Sequence, residues 1–276
     1  MRKLIFASCL LMGLAGCQTT TLETDVERKP VSIRFGGFDI EVTTHSRATL
    51  ADACTALNYY RYTDGTQTGS QFITASDDGF GTFTDEMTWG THHLYFIGHK
   101  SEVTDFADGI ATFDRVSDTF THHMTLTVDE NTDTEQTITL VRRVAKFELV
   151  AKDALPENLA SVEIQITGGA MSVDVESGFG GEEVVQNKAI TVPDSNIGKR
   201  NCVFSSYLFL PEDVTSVTIL VTTKDADGNE LMEYDFGDVE VKRNTITRYS
   251  GMMFGKKPSF ELSVDDEWDE VNEWEF

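Results

Sequence analysis

The stretch Leu57-Asn-Tyr-Tyr-Arg-Tyr-Thr-Asp-Gly-Thr-Gln-Thr-Gly-Ser-Gln-Phe-Ile-Thr74 sets two runs rich in aromatic and β-branched residues on either side of Asp64-Gly65. Residues 57–62 and 67–74 read as the arms of a hairpin, because Asp-Gly readily supplies the positive φ angles that a primed turn requires. The pattern recurs at residues 217–224 and 230–236 around Asp227-Gly228. Upstream, Val31, Ile33 and Phe35 alternate in one phase and Phe38, Ile40 and Val42 in the other. The change of phase falls on Gly36-Gly37, which implies a bulge or a tight bend. Further strands are expected at 92–98, 123–128, 136–150, 161–167, 203–210, 238–248 and 259–264. Only Leu50, Ala53, Cys54 and Leu57 have helical spacing, enough for one or two turns. With no long amphipathic helix to make parallel crossovers, many short strands imply an all-β protein built of packed sandwiches.

The chain opens with a secretion address. Arg2 and Lys3 are followed by the apolar run Leu4 to Leu14 and by the small residues Ala15 and Gly16. That run is too short for a hydrocarbon core of roughly 30 Å, which takes about 20 apolar residues. Leu14-Ala15-Gly16-Cys17 has the form of a lipobox, so residues 1–16 read as a lipoprotein signal peptide and Cys17 as the lipid-bearing mature N-terminus. Residues 17–29 then form a tether. About 260 mature residues suggest two domains, placed at 30–142 and 143–276 with the boundary at Val141 to Arg143, after the acidic turn Asp129 to Glu135. The boundary falls inside a strand-like run, so the domains share a continuous or closely abutting segment. Loss of Arg2 and Lys3 moves the formal charge from −24 to −26. Such acidity argues against nucleic acid, which is held by clustered Lys and Arg, and leaves the lipid as the membrane anchor. Of four cysteines, Cys9 leaves with the signal and Cys17 is acylated. Cys54 and Cys202 remain, either bridged in an oxidising compartment or, more simply, as two buried thiols.

Chemistry-bearing motifs are few. His92 and His93 point to opposite faces of one strand, and His93 and His99 lie about 20 Å apart at ~3.3 Å per residue, so a shared metal would need His122 or His123 from another strand. Exposed strand histidines are the simpler reading. Asp225-Ala-Asp-Gly-Asn-Glu230 opens like a calcium loop but has Gly in fourth place, where the EF-hand needs it sixth, and reads as a solvated turn. Gly178-Phe-Gly-Gly181 reads as a turn. The acidic pairs Asp77-Asp78, Glu182-Glu183 and Asp265-Asp266 fix no dyad geometry. Nucleophile elbow, zinc-protease and phosphate-loop motifs do not occur. No catalytic residue, metal site or cofactor is assigned, and the chain reads as non-enzymatic.

Several segments together resemble the Bacteroidales fimbrial lipoproteins, the fimbrillin and FimB/Mfa2-type subunits of type V pili. They are the lipobox at Cys17, Leu57 to Gly65, Trp89-Gly-Thr-His-His-Leu-Tyr-Phe-Ile-Gly-His99, Val141-Arg-Arg-Val-Ala-Lys-Phe-Glu-Leu149 and Val241-Lys-Arg-Asn-Thr-Ile-Thr-Arg-Tyr-Ser-Gly251. The resemblance spans nearly the whole mature chain. It implies two tandem transthyretin-like β-sandwich domains and assembly with other fimbrial subunits, in which an extended segment of one subunit completes an open sheet of the next. The terminal run resembles a donor tail, with Trp268, Val271, Trp274 and Phe276 as its apolar residues; its other reading is a last strand closing its own domain. Opening of the acceptor, in stalk members of that family, follows removal of the N-terminal strand by a trypsin-like arginine-specific protease. Arg47-Ala48 resembles such a site, with Arg28 and Arg34 as competitors. Uncut, the protein is an anchor; cut, a polymerising subunit. The implied location is the cell surface, outer membrane and fimbrium, with a host or bacterial surface ligand as a further partner. A surface glycan-binding lipoprotein is the alternative, with Tyr59, Tyr60, Tyr62, Trp89 and Tyr95 as its sugar platform.

Overall fold

Alternating apolar residues pair into strands along nearly all of the chain, and the computed structural model describes residues 28–41, 49–255, 257–266 and 268. The first half runs β1 (Val31–Glu41), helix α1 (Leu50–Ala53), β2 (Ala56–Thr63), β3 (Thr66–Thr74), β4 (Phe83–Met87), β5 (Gly90–His99), β6 (Val103–Ala107), β7 (Ile110–Phe113), β8 (Phe120–Val128) and β9 (Glu135–Arg142). Seven of these strands lie in the order β3-β2-β5-β8-β9-β1-β4. The turn of the opening hairpin has φ of 52° at Asp64 and 73° at Gly65, the doubly positive pair that the Asp-Gly signal predicts. The glycine pair also acts as expected: the β1–β9 register shifts between Gly36 and Asp39, with Gly37 at φ 57°. α1 is a single turn because the chain returns to extended backbone at Cys54. A capping box fixes its start, Thr49 Oγ1 accepting from Asp52 N and the Asp52 carboxylate accepting from Thr49 N.

β8 and β9 share only the pairs Phe120–Arg142 and Thr121–Val141. The sheet turns a corner there, so β3-β2-β5-β8 faces β9-β1-β4 across a core of Ile33, Phe35, Tyr59, Phe83, Phe96 and Leu140. At the far side Gln71 Nε2 donates to Thr84 O and Arg61 Nη1 to Glu86 O, which ties β2 and β3 to β4 without a backbone ladder.

The second half repeats the scheme with β10 (Val144–Ala151), β11 (Ser161–Ala170), β12 (Ser172–Asp174), β13 (Glu183–Thr191), β14 (Cys202–Phe209), β15 (Val214–Lys224), β16 (Glu230–Lys242), β17 (Ile246–Met252) and β18 (Ser259–Asp265). β16-β15-β11-β13 and β14-β10-β17-β18 meet at the single pair Ala170–Phe209 and enclose Phe147, Leu149, Ile164, Ile166, Phe204 and Ile219.

The run 136–150, expected as one strand, is divided at Arg143, whose Nε donates to Thr121 Oγ1. The run 238–248 is divided at Asn244, where φ is 57°. A third sheet, β12-β7-β6, joins the halves, with β12 pairing β7 from Ser172–Thr112 to Asp174–Ile110. Around it lies an apolar cluster drawn from both halves, including Ile97, Phe106, Phe113, Val173, Tyr207 and Trp268. The sequence reading places no strand at β4, β6, β7, β12 or β13. Cys54 is buried in the first core and Cys202 in the second, and they are not bridged to each other. No helix among the described residues is long and apolar enough to cross a membrane.

Candidate functional site

β1 is an internal strand that the chain holds by a single covalent link among the described elements. It runs parallel to β9, from Arg34–Glu135 to Glu41–Val141, and antiparallel to β4, from Val31–Met87 to Phe35–Phe83. Its alternation buries Ile33, Phe35 and Ile40, and the Phe35 ring centroid lies 5.5 Å from Tyr59 and 5.3 Å from Phe96. Arg47 and Ala48 lie outside the described residues, as does Cys17.

At the other end of the chain, Trp268 is 1% exposed. Its ring lies 4.1 Å from the Arg142 guanidinium and 5.9 Å, at 21°, from the ring of Tyr207. Arg142 Nη1 donates to Trp268 O at 3.5 Å. Arg142 also donates to Asp118, Nε to Oδ1 at 2.9 Å and Nη2 to Oδ2 at 3.1 Å, and lies 4.9 Å from the Phe120 ring. Trp268 thus occupies a socket whose walls come from β8, β9 and β14. Val271, Trp274 and Phe276 lie outside the described residues. β18, just before this socket, is an edge strand among the described residues, with Leu262 and Val264 largely exposed.

The histidines are more buried than the sequence reading has them. His92 is enclosed and bonded to Thr63 Oγ1 and Thr88 O, each at 2.8 Å. His99 is enclosed beside Asn58 Oδ1 at 2.6 Å, and desolvation pushes its pKa down to about 4. His93 and His123 face each other across β5 and β8 with Nδ1 and Nε2 3.4 Å apart, and Glu176 approaches His123 at 3.8 Å. Among the described residues, no three His, Cys, Asp or Glu side chains converge on a metal position. Asp225 is used up within its hairpin, accepting from Asp227 N, Asn229 N and Asn229 Nδ2. The glycine loop at 178–181 is a structural turn: Gly180 bridges Val173, and the Gly178 carbonyl accepts from Arg243.

The five aromatics of the sugar-platform reading do not share a plane. Tyr59 is in the core, its hydroxyl donating to Asp85 at 2.9 Å. Tyr60 is stacked on Phe106 at 3.9 Å, and Tyr62 meets Tyr95 edge-on at 79°. Trp89 lies under the Arg28 guanidinium at 4.9 Å. Desolvation raises the pKa of Tyr60 and Tyr95, as expected of rings set into packing.

No curated protein matches the chain by sequence. Among solved structures, a Bacteroides thetaiotaomicron protein provisionally described as polysaccharide-binding aligns with a TM-score of 0.56 at 9% identity, over 89% of this chain and 99% of that one. A second protein of that organism, provisionally described as an adhesin, aligns with a TM-score of 0.52 at 13% identity, over 88% and 98%. The fimbrial anchor protein Mfa2 of Porphyromonas gingivalis aligns with a TM-score of 0.44 at 10% identity, over 85% and 97%. The first two alignments establish a shared fold, the tandem β-sandwich. The model of DUF6562, a family of unknown function, matches residues 84–275, and the chain belongs to that family.

Proposed function

We propose that this chain is a non-enzymatic subunit of a fimbrial assembly, a type V pilus, lipid-anchored in the outer membrane through Cys17 and displayed at the cell surface, where it supports adhesion. It joins other fimbrial subunits, copies or relatives, by β-strand complementation. The observation that carries this reading is the position of β1 between β9 and β4. A protease that cuts Arg47–Ala48 severs the covalent link between β1 and everything after it. Departure of β1 then leaves two unpaired strand edges and an apolar slot walled by Tyr59, Phe83 and Phe96, a template for an incoming strand that supplies backbone bonds and alternating apolar side chains. The C-terminal run through Val271, Trp274 and Phe276 is the donor of matching character. Uncut, the chain remains one piece from its lipid to its tail and serves as an anchor. The glycan-binding alternative draws no support from the aromatic geometry.

The test is mass spectrometry of the N-terminus of protein recovered from cells, in membrane and in polymer fractions. An acylated Cys17 in the membrane fraction is the expected anchor form, and a terminus at Ala48 in polymers is the expected subunit form. A protein that carries neither terminus, or that never co-fractionates with other fimbrial subunits, overturns the proposal.

A further inference from the structure

β18 pairs with β17 alone among the described residues. A pull on the C-terminal end of such an edge strand loads its backbone pairs one after another, so it peels at low force. Three residues past its last pair, at Asp265, the chain meets a stop of different construction. Trp268 is seated between Arg142 and Tyr207, and its carbonyl is held by Arg142. Asp118, Phe120 and Arg142 belong to the first sandwich and Tyr207 to the second, so a load arriving at Trp268 is shared by both.

We propose that Trp268 is the fixed root of the C-terminal segment, a positioning residue that stays in its own chain while Asp269 to Phe276 engages a second copy. This rests on the strand-complementation reading above. The socket favours retention. Withdrawal of the ring strips the cation–π face from Arg142 and opens the sealed Asp118–Arg142 pair, whose side chains are 0% and 3% exposed. The donor does not need the ring either. The segment Asp269 to Phe276 alone is enough for a strand of ordinary length, about 26 Å if extended at ~3.3 Å per residue, and still carries Val271, Trp274 and Phe276. A donor that kept its first aromatic at home leaves the subunit at a defined point on the seam between its sandwiches, so the direction of the next subunit is set by the fold.

The experiment compares the full chain with three variants expressed in the native bacterium: removal of residues 269–276, Trp268→Ala and Trp268→Phe. Hydroxyl-radical oxidation of the Trp268 ring, read by mass spectrometry of the peptide that carries it, is measured in the parental full chain as unassembled precursor and as recovered polymer. Removal of 269–276 is expected to abolish polymer, Trp268→Ala to lower its yield at least tenfold and Trp268→Phe to restore it, with the oxidation of Trp268 the same in both states. Polymer at the parental level from a folded Trp268→Ala chain, or a twofold or greater change in oxidation on assembly, overturns the root while leaving strand complementation standing. If Trp268→Ala does not fold, the oxidation comparison decides alone. Parental polymer from the chain lacking 269–276 sinks strand complementation by the tail, and this proposal with it.

Discussion

Asp118 and Arg142 meet side-on in a doubly hydrogen-bonded pair, 2.9 and 3.1 Å long, that water does not reach. The pair sits where the first sandwich turns its corner, since Arg142 is also the last residue of β9 and the backbone partner of Phe120. It fixes the guanidinium plane against which the Trp268 ring lies. The chain ends its first half and anchors its tail with one side chain.

Removing one member of this pair strands a buried charge. Asp118→Ala is expected to lower the unfolding free energy by about 3–5 kcal/mol, whereas the double replacement Asp118→Leu with Arg142→Met restores most of it, because two apolar groups of similar volume leave no uncompensated charge. Urea unfolding of the three chains measures the difference.

His99 gives the fold a pH dependence of definite sign. Its ordinary value of 6.5 falls to about 4 in the folded chain, chiefly through desolvation, so between those values the unfolded chain binds the extra proton and the folded chain does not. Stability is therefore full above pH 6.5 and declines as pH falls toward 4, by on the order of 3 kcal/mol for this group. His122 and His123, also lowered by burial, act in the same direction. His99→Gln, which cannot take the proton, is expected to flatten the urea midpoint between pH 4.5 and 6.5; an unchanged slope assigns the effect elsewhere.

The layout of these elements was legible where the signal was local. Asp64-Gly65 and Gly36-Gly37 each state a backbone requirement in two residues, Asp227-Gly228 marks its hairpin although only Gly228 takes a positive φ, and β2, β3, β5 and β15 carry enough alternation to be recognised alone. β6 and β7 are five and four residues long, too short for alternation to count, and β12 is three. Only Asp108-Gly109, both at positive φ, marked a hairpin there. The socket was illegible for a different reason. Nothing in the spacing of Asp118, Arg142, Tyr207 and Trp268 announces that they converge, because their proximity is set by the corner of one sandwich and the face of the other. The His92–Thr63 bond likewise exists only once β2 pairs with β5.

Gly251 is needed for space. A methyl group built on it runs into the carbonyl oxygen of Ser259 across the β17–β18 ladder. The atoms it meets are backbone, so the contact cannot relax by a rotamer change. Gly251→Ala is expected to cost about 1–3 kcal/mol, the range for overpacking, and to loosen β18 selectively. Faster amide exchange from Ser259 to Asp265, with β10 and β14 unchanged, is the signature; uniform acceleration across the second half contradicts it.

The links that couple the two sandwiches include the β7–β12 ladder, the shared apolar cluster, the Trp268 socket and the hydrogen bond from Thr121 Oγ1 to Val175 O. Val173 belongs to the first two, pairing with Ala111 while fully buried. A carboxylate there has no partner and is costly to bury, since an ionised group without compensation is driven to water or to its neutral form. Val173→Asp is therefore expected to open the seam while each sandwich keeps its own core. Calorimetry should turn from one cooperative transition in the parent chain to two in the variant, with the ratio of calorimetric to van 't Hoff enthalpy rising above one. A single transition merely shifted to lower temperature means that the Trp268 socket and the remaining contacts hold the halves together by themselves. Adding Trp268→Ala to Val173→Asp then separates them if the socket carries that share.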